Sequence, residues 1–223
     1  MPILLHNYIE AFQKGDTAPD TAANANETLE PYVGTQVEVG AKAELGRVNL
    51  SAAVFRIEQA NAYTDAVTNI YSEDGREIHI GGEFSVFGKV TENLTLGGGF
   101  TILRAYVDKI ATADLEDKTP TGVPEKMARV YAEYALPWVK GLTITGGASY
   151  IGSQYVNSMN TLSIPSVVTG DVGARYQIKL YGRDLTLRFN VANVTDEDYW
   201  TTTGSSLSLG APRTFAFSTS IKF

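Results

Sequence analysis

The sequence predicts an all-β fold: an antiparallel, transmembrane-type β-barrel of about ten strands in a meander. Three observations predict it. Apolar and polar residues alternate over segments of about 11–15 residues, which are longer than ordinary strands and long enough to cross a bilayer at a tilt. Tight and long connections alternate strictly along the chain. The last segment reads as a strand with aromatic residues on one face.

The composition narrows the classes of function. The chain has 223 residues, a net charge of -7, no cysteine and a mean hydropathy of -0.09. The negative charge argues against a nucleic-acid partner, which normally requires a basic face. The missing cysteines exclude disulfides and thiolate metal sites. Met1–His6 lacks the features of a signal peptide, as expected for a mature exported protein or an expressed piece.

The strand and loop pattern predicts a molecule with two unlike ends. The predicted strands cover residues 3–13, 33–45, 47–58, 77–89, 93–107, 125–136, 141–155, 166–180, 183–193 and 213–223. Long polar connections at 14–32, 58–76, 108–123, 156–164 and 195–212 alternate with tight turns. In an antiparallel meander this places short turns at one end and long loops at the other, as in outer-membrane barrels.

The two faces of the predicted strands differ in polarity. In the final strand, which we expect to support membrane assembly, one parity carries Phe215, Phe217, Ile221 and Phe223. Charges elsewhere fall mainly on the opposite parity, where a barrel has its lumen. We expect the following charged side chains to face the lumen and to form a ladder of opposite charges: Glu38, Glu83, Arg129, Glu133, Arg175, Lys179 and Arg188.

A soluble antiparallel sheet with one solvated face predicts the same alternation. Three features favour the membrane interpretation. The strands are long, small residues such as Gly98, Gly146 and Ala174 recur on the apolar face, and Tyr and Trp cluster near strand ends. The last feature is typical of an interfacial aromatic girdle.

Short stretches of the chain resemble a known family. They include Asn7-Tyr-Ile-Glu-Ala-Phe12, Gln36-Val-Glu-Val-Gly-Ala-Lys42, Leu96-Gly-Gly-Gly-Phe-Thr101, Gly146-Gly-Ala-Ser-Tyr-Ile-Gly-Ser153 and Phe189-Asn-Val-Ala-Asn-Val-Thr-Asp-Glu-Asp-Tyr-Trp200. In their order and spacing they resemble the C-terminal half of the barrel of TonB-dependent outer-membrane receptors, most closely the ferric-siderophore receptors.

The resemblance implies a role and a set of partners. It implies an outer-membrane receptor segment for TonB-dependent uptake of ferric siderophores, in contact with outer-membrane lipid and with no enzymatic activity. Receptors of this family also have a plug domain, a segment that engages TonB and 22 strands. Residues 1–223 match none of the plug, so we expect a piece of a receptor that cannot transport alone and meets the TonB complex only through a missing N-terminal part.

The candidate ligand contacts are aromatic residues near the predicted long loops: Tyr63, Tyr71, Tyr106, Tyr155 and Trp200. Aromatic faces suit the rings and apolar body of a bulky iron chelate. No catalytic constellation is evident. The two histidines, His6 and His79, lack the spacing of a metal site, so we expect no metal site and no cofactor.

Two alternatives stay open at this stage. The first is a free-standing small outer-membrane barrel with a structural or adhesive role, since an even number of strands can close. The second is a soluble β-sandwich that acts as a binding module. Detergent extraction as a single polypeptide would favour the first, and solubility without detergent would favour the second.

Overall fold

The computed structural model describes residues 2–203 and 206–222. Within them, one antiparallel sheet of ten strands has the order β1-β2-β3-β4-β5-β6-β7-β10-β11-β14. Its strands are β1 (Ile3–Gln13), β2 (Tyr32–Leu45), β3 (Val48–Thr64), β4 (Tyr71–Lys89), β5 (Leu94–Lys109), β6 (Lys126–Ala135), β7 (Leu142–Ile151), β10 (Val167–Leu180), β11 (Arg183–Ala192) and β14 (Thr214–Lys222). The predicted all-β antiparallel meander is confirmed.

Two short hairpins stand apart from this sheet in the long connections. One pairs β8 (Gln154–Tyr155) with β9 (Ser163–Ile164), and the other pairs β12 (Trp200–Thr203) with β13 (Ser206–Leu209). A 3-10 turn at Ala113–Leu115 lies in the connection from β5 to β6. No helix long and apolar enough to span a membrane occurs in the described part of the chain.

Tight turns and long loops occupy opposite ends of the sheet, as the sequence predicts. The β2–β3 and β10–β11 turns contain Gly46 and Gly182 with φ of 64° and 77°, a left-handed backbone that glycine adopts without strain. Gly141 closes the β6–β7 turn with φ of 87°, and a Cβ there would lie 2.1 Å from the carbonyl oxygen of Gln177. That turn therefore needs glycine for both conformation and space.

The strand register fixes which side chains share a face. Directly paired residues of an antiparallel sheet point to the same side, so Phe84, Phe100 and Ala128 lie on one face and Glu83, Thr101 and Met127 on the other. Continued across the sheet, the first face carries the exposed Val130, Ile144, Val172, Phe189 and Phe217. We call this apolar face the outward face and the opposite one the lumen face.

The sheet is a single layer. Phe217 is 67% exposed and Val130 is 59% exposed, so no second sheet covers the outward face in the described residues. This excludes the β-sandwich alternative. Strands β1 and β14 form the two edges, and they do not pair with each other. The ten strands therefore do not close on themselves in this structure, and the free-standing closed barrel gains no support.

Buried apolar side chains occur at the long-loop end. Ala105, Val107 and Ile164 are buried there, under connections that fold back over the sheet. The hairpin β3–β4 is longer than the sequence pattern predicts, since β3 continues to Thr64 and β4 begins at Tyr71. Residues 59–64 and 71–76 thus form a paired extension instead of an irregular loop.

Candidate ligand-binding wall at the long-loop end

The connection between β5 and β6 folds over the lumen face and encloses an open cavity of about 430 Å³. One wall is polar and comes from β3 and β4, with Gln59, Glu77 and His79. The other is mainly apolar and comes from the connection itself, with Ile110, Leu115, Pro120 and Val123. A half-polar, half-apolar cavity at the loop end is typical of a small-molecule binding site.

The polar wall is held together by one carboxylate. Glu77 Oε2 accepts a hydrogen bond from Gln59 Nε2 at 3.2 Å and lies 3.4 Å from His79 Nε2. The side chains of Glu77 and His79 are only 16% and 15% exposed. Strand pairing places all three on one face, because Gln59 is opposite Glu77 and Ile57 is opposite His79. The result is a fixed polar surface that a ligand in the cavity would contact.

The connection over the cavity is anchored to its neighbour. Asn160 Oδ1 accepts the backbone amide of Thr119 at 2.7 Å, and Asn160 Nδ2 donates to the Thr119 carbonyl at 2.9 Å. The amide of Gly122 donates to the carbonyl of Tyr155 at 2.8 Å. These bonds join the β5–β6 connection to the β7–β10 connection.

The first long connection is attached to the β3–β4 hairpin in a similar way. Asn24 bonds the backbone of Tyr71 on both sides, accepting from its amide at 2.9 Å and donating to its carbonyl at 3.1 Å. Asp16 accepts from the Tyr71 hydroxyl at 3.1 Å, and its amide donates to Glu73 Oε1 at 3.0 Å. Hydrogen bonds thus join two pairs of segments at the loop end: the β5–β6 and β7–β10 connections, and the first long connection with the β3–β4 hairpin.

A carboxylate closes the tip of the hairpin. Asp65 Oδ1 accepts the amides of Val67 and Thr68 at 2.9 and 2.7 Å and the Thr68 hydroxyl at 3.0 Å. These hydrogen bonds, first that of the Thr68 amide, hold the pKa of Asp65 below its usual range. The tip is therefore an ordered Asx turn at neutral pH.

The structure does not bring the five predicted aromatic contacts into one place. Tyr63 and Tyr71 occupy neighbouring rungs of the β3–β4 hairpin, where the Tyr63 hydroxyl donates to Asp74 at 2.7 Å. Tyr155 lies in β8 and Trp200 in β12. Tyr106 lies on the outward face in register with Ile78, and the guanidinium of Arg104 stands 5.4 Å from its ring centroid. Only the first two lie on one hairpin, and because they occupy adjacent rungs their side chains point to opposite faces of it.

The seven predicted lumen charges lie on the lumen face by register. They do not form a ladder, because the described ion pairs include only one between two of them. Arg175 Nη2 lies 2.7 Å from Glu133 Oε2, and the Tyr131 hydroxyl also donates to that carboxylate. Arg188 stands directly opposite Arg175. Glu38 instead accepts from the amides of Asn7 and Gln36.

In the predicted assembly strand, the structure places Phe215, Phe217 and Ile221 on the outward face, in register with Val191, Phe189 and Leu185. Phe223 lies outside the described residues. No three His, Asp or Glu side chains of residues 2–203 and 206–222 come together as a metal-binding group.

The sequence does not predict the polar wall as a unit. His79 alone is evident there as a lumen-side polar residue, while Glu77 is the first residue of a predicted strand and Gln59 lies in the predicted connection 58–76. Their role depends on a connection that folds over them from 110–123, and no local pattern encodes that fold.

A single-layer antiparallel sheet with a lipid-compatible outward face, a polar lumen face and inward-folded loops is the wall of an outer-membrane receptor barrel. The chain belongs to the TonB dependent receptor-like, beta-barrel family, whose family model matches residues 4–194. This confirms the resemblance of the sequence to TonB-dependent receptors, and it places the chain in the outer membrane of a Gram-negative bacterium.

Relatives and solved structures agree with this assignment. The ferrichrome receptor FcuA of Yersinia enterocolitica is 32% identical over 228 residues, covering 99% of this chain and 30% of the receptor. The ferrioxamine B receptor of Salmonella typhimurium is 29% identical over 208 residues, covering 88% of this chain and 29% of the receptor. The chain therefore spans about 30% of the length of these curated relatives.

Among solved structures, the ferric preacinetobactin receptor BauA of Acinetobacter baumannii superposes with a TM-score of 0.87 at 36% identity. The match covers 100% of this chain and 34% of BauA. The pyoverdine-bound receptor FpvA of Pseudomonas aeruginosa superposes with a TM-score of 0.77 at 27% identity, over 98% of this chain and 30% of the receptor.

Proposed function

We propose that this chain is the C-terminal part of the barrel wall of a receptor that takes up ferric siderophores across the outer membrane. The observation that carries the proposal is the cavity under the β5–β6 connection, which opens on a lumen face of otherwise polar character. The relatives named ferrichrome and ferrioxamine B receptors support the choice of ligand class. The role is transport, not catalysis.

The remainder of the barrel and the plug would come from chain outside residues 1–223. Two unpaired edge strands, β1 and β14, support this part of the proposal, since an open edge in a bilayer leaves backbone groups without partners. The TonB complex would act through that other part. Within this chain, the partners are then the ferric siderophore and outer-membrane lipid, and no nucleic acid.

The ligand contacts would be distributed along the loop end. We propose Tyr63 and Tyr71 as the first contacts, because they share the hairpin that projects beyond the sheet. Tyr155 and Trp200 would add contacts from the neighbouring connections. Tyr106 is proposed only as a secondary contact, since it lies on the outward face.

Iron uptake by cells tests this function. The complete reading frame that encodes this chain is expressed in an iron-starved host without its own siderophore receptors, and uptake of radioactive iron is measured from hydroxamate, catecholate and mixed siderophores. We expect uptake of at least one class and its loss when TonB is deleted. Uptake of none, or uptake that does not need TonB, contradicts the proposal.

A matched pair of variants tests the aromatic contacts. Tyr63→Ala should raise the siderophore concentration for half-maximal uptake roughly two- to tenfold, the range expected for one lost aromatic contact. Tyr181→Asn is the control, because Tyr181 is exposed in a tight turn at the other end. Equal effects of both variants would remove Tyr63 from the binding surface.

A further inference from the structure

Charged side chains occupy the outward face of β3, β4, β5 and β6, at the long-loop end only. Counted from the tight turns, the outward positions of β3 are apolar until Arg56, those of β5 until Arg104, and those of β6 until Lys126. On β2, β7 and β10 the same end presents Thr35, Tyr150 and Val168. On β1 the same end presents the acidic Glu10, opposite Thr35. Among the paired strands of the described residues, the outward cations of this end are thus confined to β3, β4, β5 and β6.

The height of the cluster matches the edge of the bilayer. The eight residue steps from Leu94 to Ile102 extend roughly 26 Å along the strand at about 3.3 Å per residue. With a strand tilt of about 35–45°, this apolar stretch spans roughly 20 Å across the membrane, close to the apolar band of about 25 Å in outer-membrane barrels. Arg104, two residues further, therefore lies at the headgroups of the leaflet that faces the long loops.

Part of the cluster is neutralised internally. Glu58 pairs with Arg56 at 3.0 Å and with Arg76 at 3.5 Å. Arg76 Nε also donates to Asp108 Oδ2 at 2.6 Å. These two acids therefore compensate the two arginines of β3 and β4. Ile78, in register with Glu58 and Tyr106, is only 4% exposed, so the side chains around it cover the sheet at this point.

Two cations of the cluster have no acidic partner among residues 2–203 and 206–222. Arg104 makes a cation–π contact with the Tyr106 ring at 5.4 Å but no ion pair, and Lys126 forms none either. Lys126 is directly opposite Ile102, so it is a diagonal neighbour of Arg104, at about 7–8 Å between Cα atoms. One phosphate placed between them can accept from both side chains.

We propose that Arg104 and Lys126 bind a phosphate group of an anionic lipid in the outer leaflet, while its acyl chains lie on Ile102, Phe100 and Ala128 below. The apolar surface continues without interruption from the two cations, and this continuity favours a lipid over a free phosphate ion. The Tyr106 ring holds the Arg104 guanidinium against the wall. Neither cation is among the proposed siderophore contacts.

Lipid titration of the purified protein tests the proposal. The protein is made from its complete reading frame in dodecyl maltoside and titrated with dioleoyl phosphatidic acid, with dioleoyl phosphatidylcholine and with inorganic phosphate, and bound molecules are followed by native mass spectrometry. We expect phosphatidic acid to bind most tightly. Arg104→Gln with Lys126→Gln should weaken its binding roughly thirtyfold.

Two further double variants separate charge from folding. Arg104→Lys with Lys126→Arg keeps both charges and should bind within a few-fold of the parent. Lys89→Gln with Lys140→Gln removes two exposed cations at the tight-turn end and should leave binding unchanged. The proposal is overturned if that control loses binding equally, if phosphatidylcholine binds as well as phosphatidic acid, if neither lipid binds, or if inorganic phosphate binds as tightly as the lipid.

Discussion

The outward and lumen faces of this sheet come from the same strands, yet different contacts keep their side chains in place. The outward face is nearly uniform, with apolar side chains such as Phe84 and Phe100, whose ring centroids are 5.7 Å apart. The lumen face is a set of individual contacts, such as the Glu133–Arg175 pair and the Ser51–Ser85 hydroxyl bond at 2.7 Å. The side chains of the outward face are determined by contact with hydrocarbon, and those of the lumen face by individual hydrogen-bond and ion-pair partners.

This difference has a consequence for mutation. A charge on the outward face meets lipid whatever its neighbours are, whereas a charge on the lumen face meets water and its effect depends on the nearest side chain. Adjacent residues of one strand therefore respond differently to the same substitution.

The largest effect should come from a charge placed in the apolar belt. Phe100→Arg should destabilise the folded protein in bilayers by about 2–4 kcal/mol, the cost of arginine near the midplane. Thr101→Arg, one residue along, lies on the lumen face opposite Glu83 and should cost less than about 1 kcal/mol. Urea unfolding from lipid vesicles measures both. Equal losses would mean that the two faces are not exposed to different solvents.

The second-largest effect on stability should distinguish a buried polar side chain from a solvent-exposed one. Asn193 is 4% exposed and its amide donates to the carbonyls of Glu197 and Ala211 at 2.9 and 3.1 Å. Asn193→Ala removes these two bonds and the one that Asn193 Oδ1 accepts from the Glu197 amide at 2.9 Å, and should cost about 1–3 kcal/mol. Asn190→Ala, exposed on the lumen face, should change stability by less than about 0.5 kcal/mol. The same unfolding assay compares them.

A smaller effect is expected for the half-buried ion pair of the lumen face. Glu133→Gln removes the partner of Arg175, whose directly opposite neighbour is Arg188, and should cost about 1 kcal/mol. Adding Arg188→Gln relieves the remaining like-charge contact and should restore part of the loss. If Arg188→Gln destabilises the protein further, Arg188 has a stabilising partner, and the lumen face contains more stabilising contacts than its ion pairs indicate.

The same difference between the faces explains how much the sequence could predict. The apolar parity of β2, predicted at 33–45 and found at Tyr32–Leu45, follows from hydrocarbon contact alone, because the outward positions from Val37 to Leu45 are all apolar. The parity of Arg56 with Val48, Leu50 and Val54 is equally visible, so the outward cluster was detectable from sequence in principle. The same reasoning predicts the face of the lumen charges.

The contacts within the lumen and the loops could not be predicted. The extension of β3 and β4 through Tyr63 and Tyr71 packs against polar loop segments rather than hydrocarbon, so it carries no apolar period and reads as a loop. Predicted strand 141–155 ends at Ile151, and Tyr155 pairs with Ser163 in a separate hairpin. Pairing of Glu133 with Arg175, two strands apart in the sheet, depends on register, which parity does not fix.

The smallest effect concerns a charge that belongs to neither face, in the loop after β11. Arg213 donates to Asp196 through its guanidinium at 2.6 Å and its backbone amide at 2.9 Å. These bonds, first that of the guanidinium, hold the pKa of Asp196 below its ordinary value of 3.8. A carboxyl group with a lowered folded-state pKa stabilises its loop above the unfolded-state value, and this stabilisation is lost as pH falls through the lowered value.

Amide exchange at Arg213 measures this loss, because its amide is released when Asp196 is protonated. We expect protection of that amide to be constant near neutral pH, once intrinsic exchange rates are taken into account, and to decrease only below the ordinary carboxyl range. Asp196→Asn should abolish the pH dependence, whereas Asp198→Asn in the same loop should retain it. A decrease in protection that begins near neutral pH would show that a group other than Asp196 controls the loop. Hydrocarbon contacts do not titrate, so the amides of the strands should keep their protection over the same pH range. This difference in pH dependence distinguishes a loop stabilised by one ion pair from a sheet stabilised by contact with lipid.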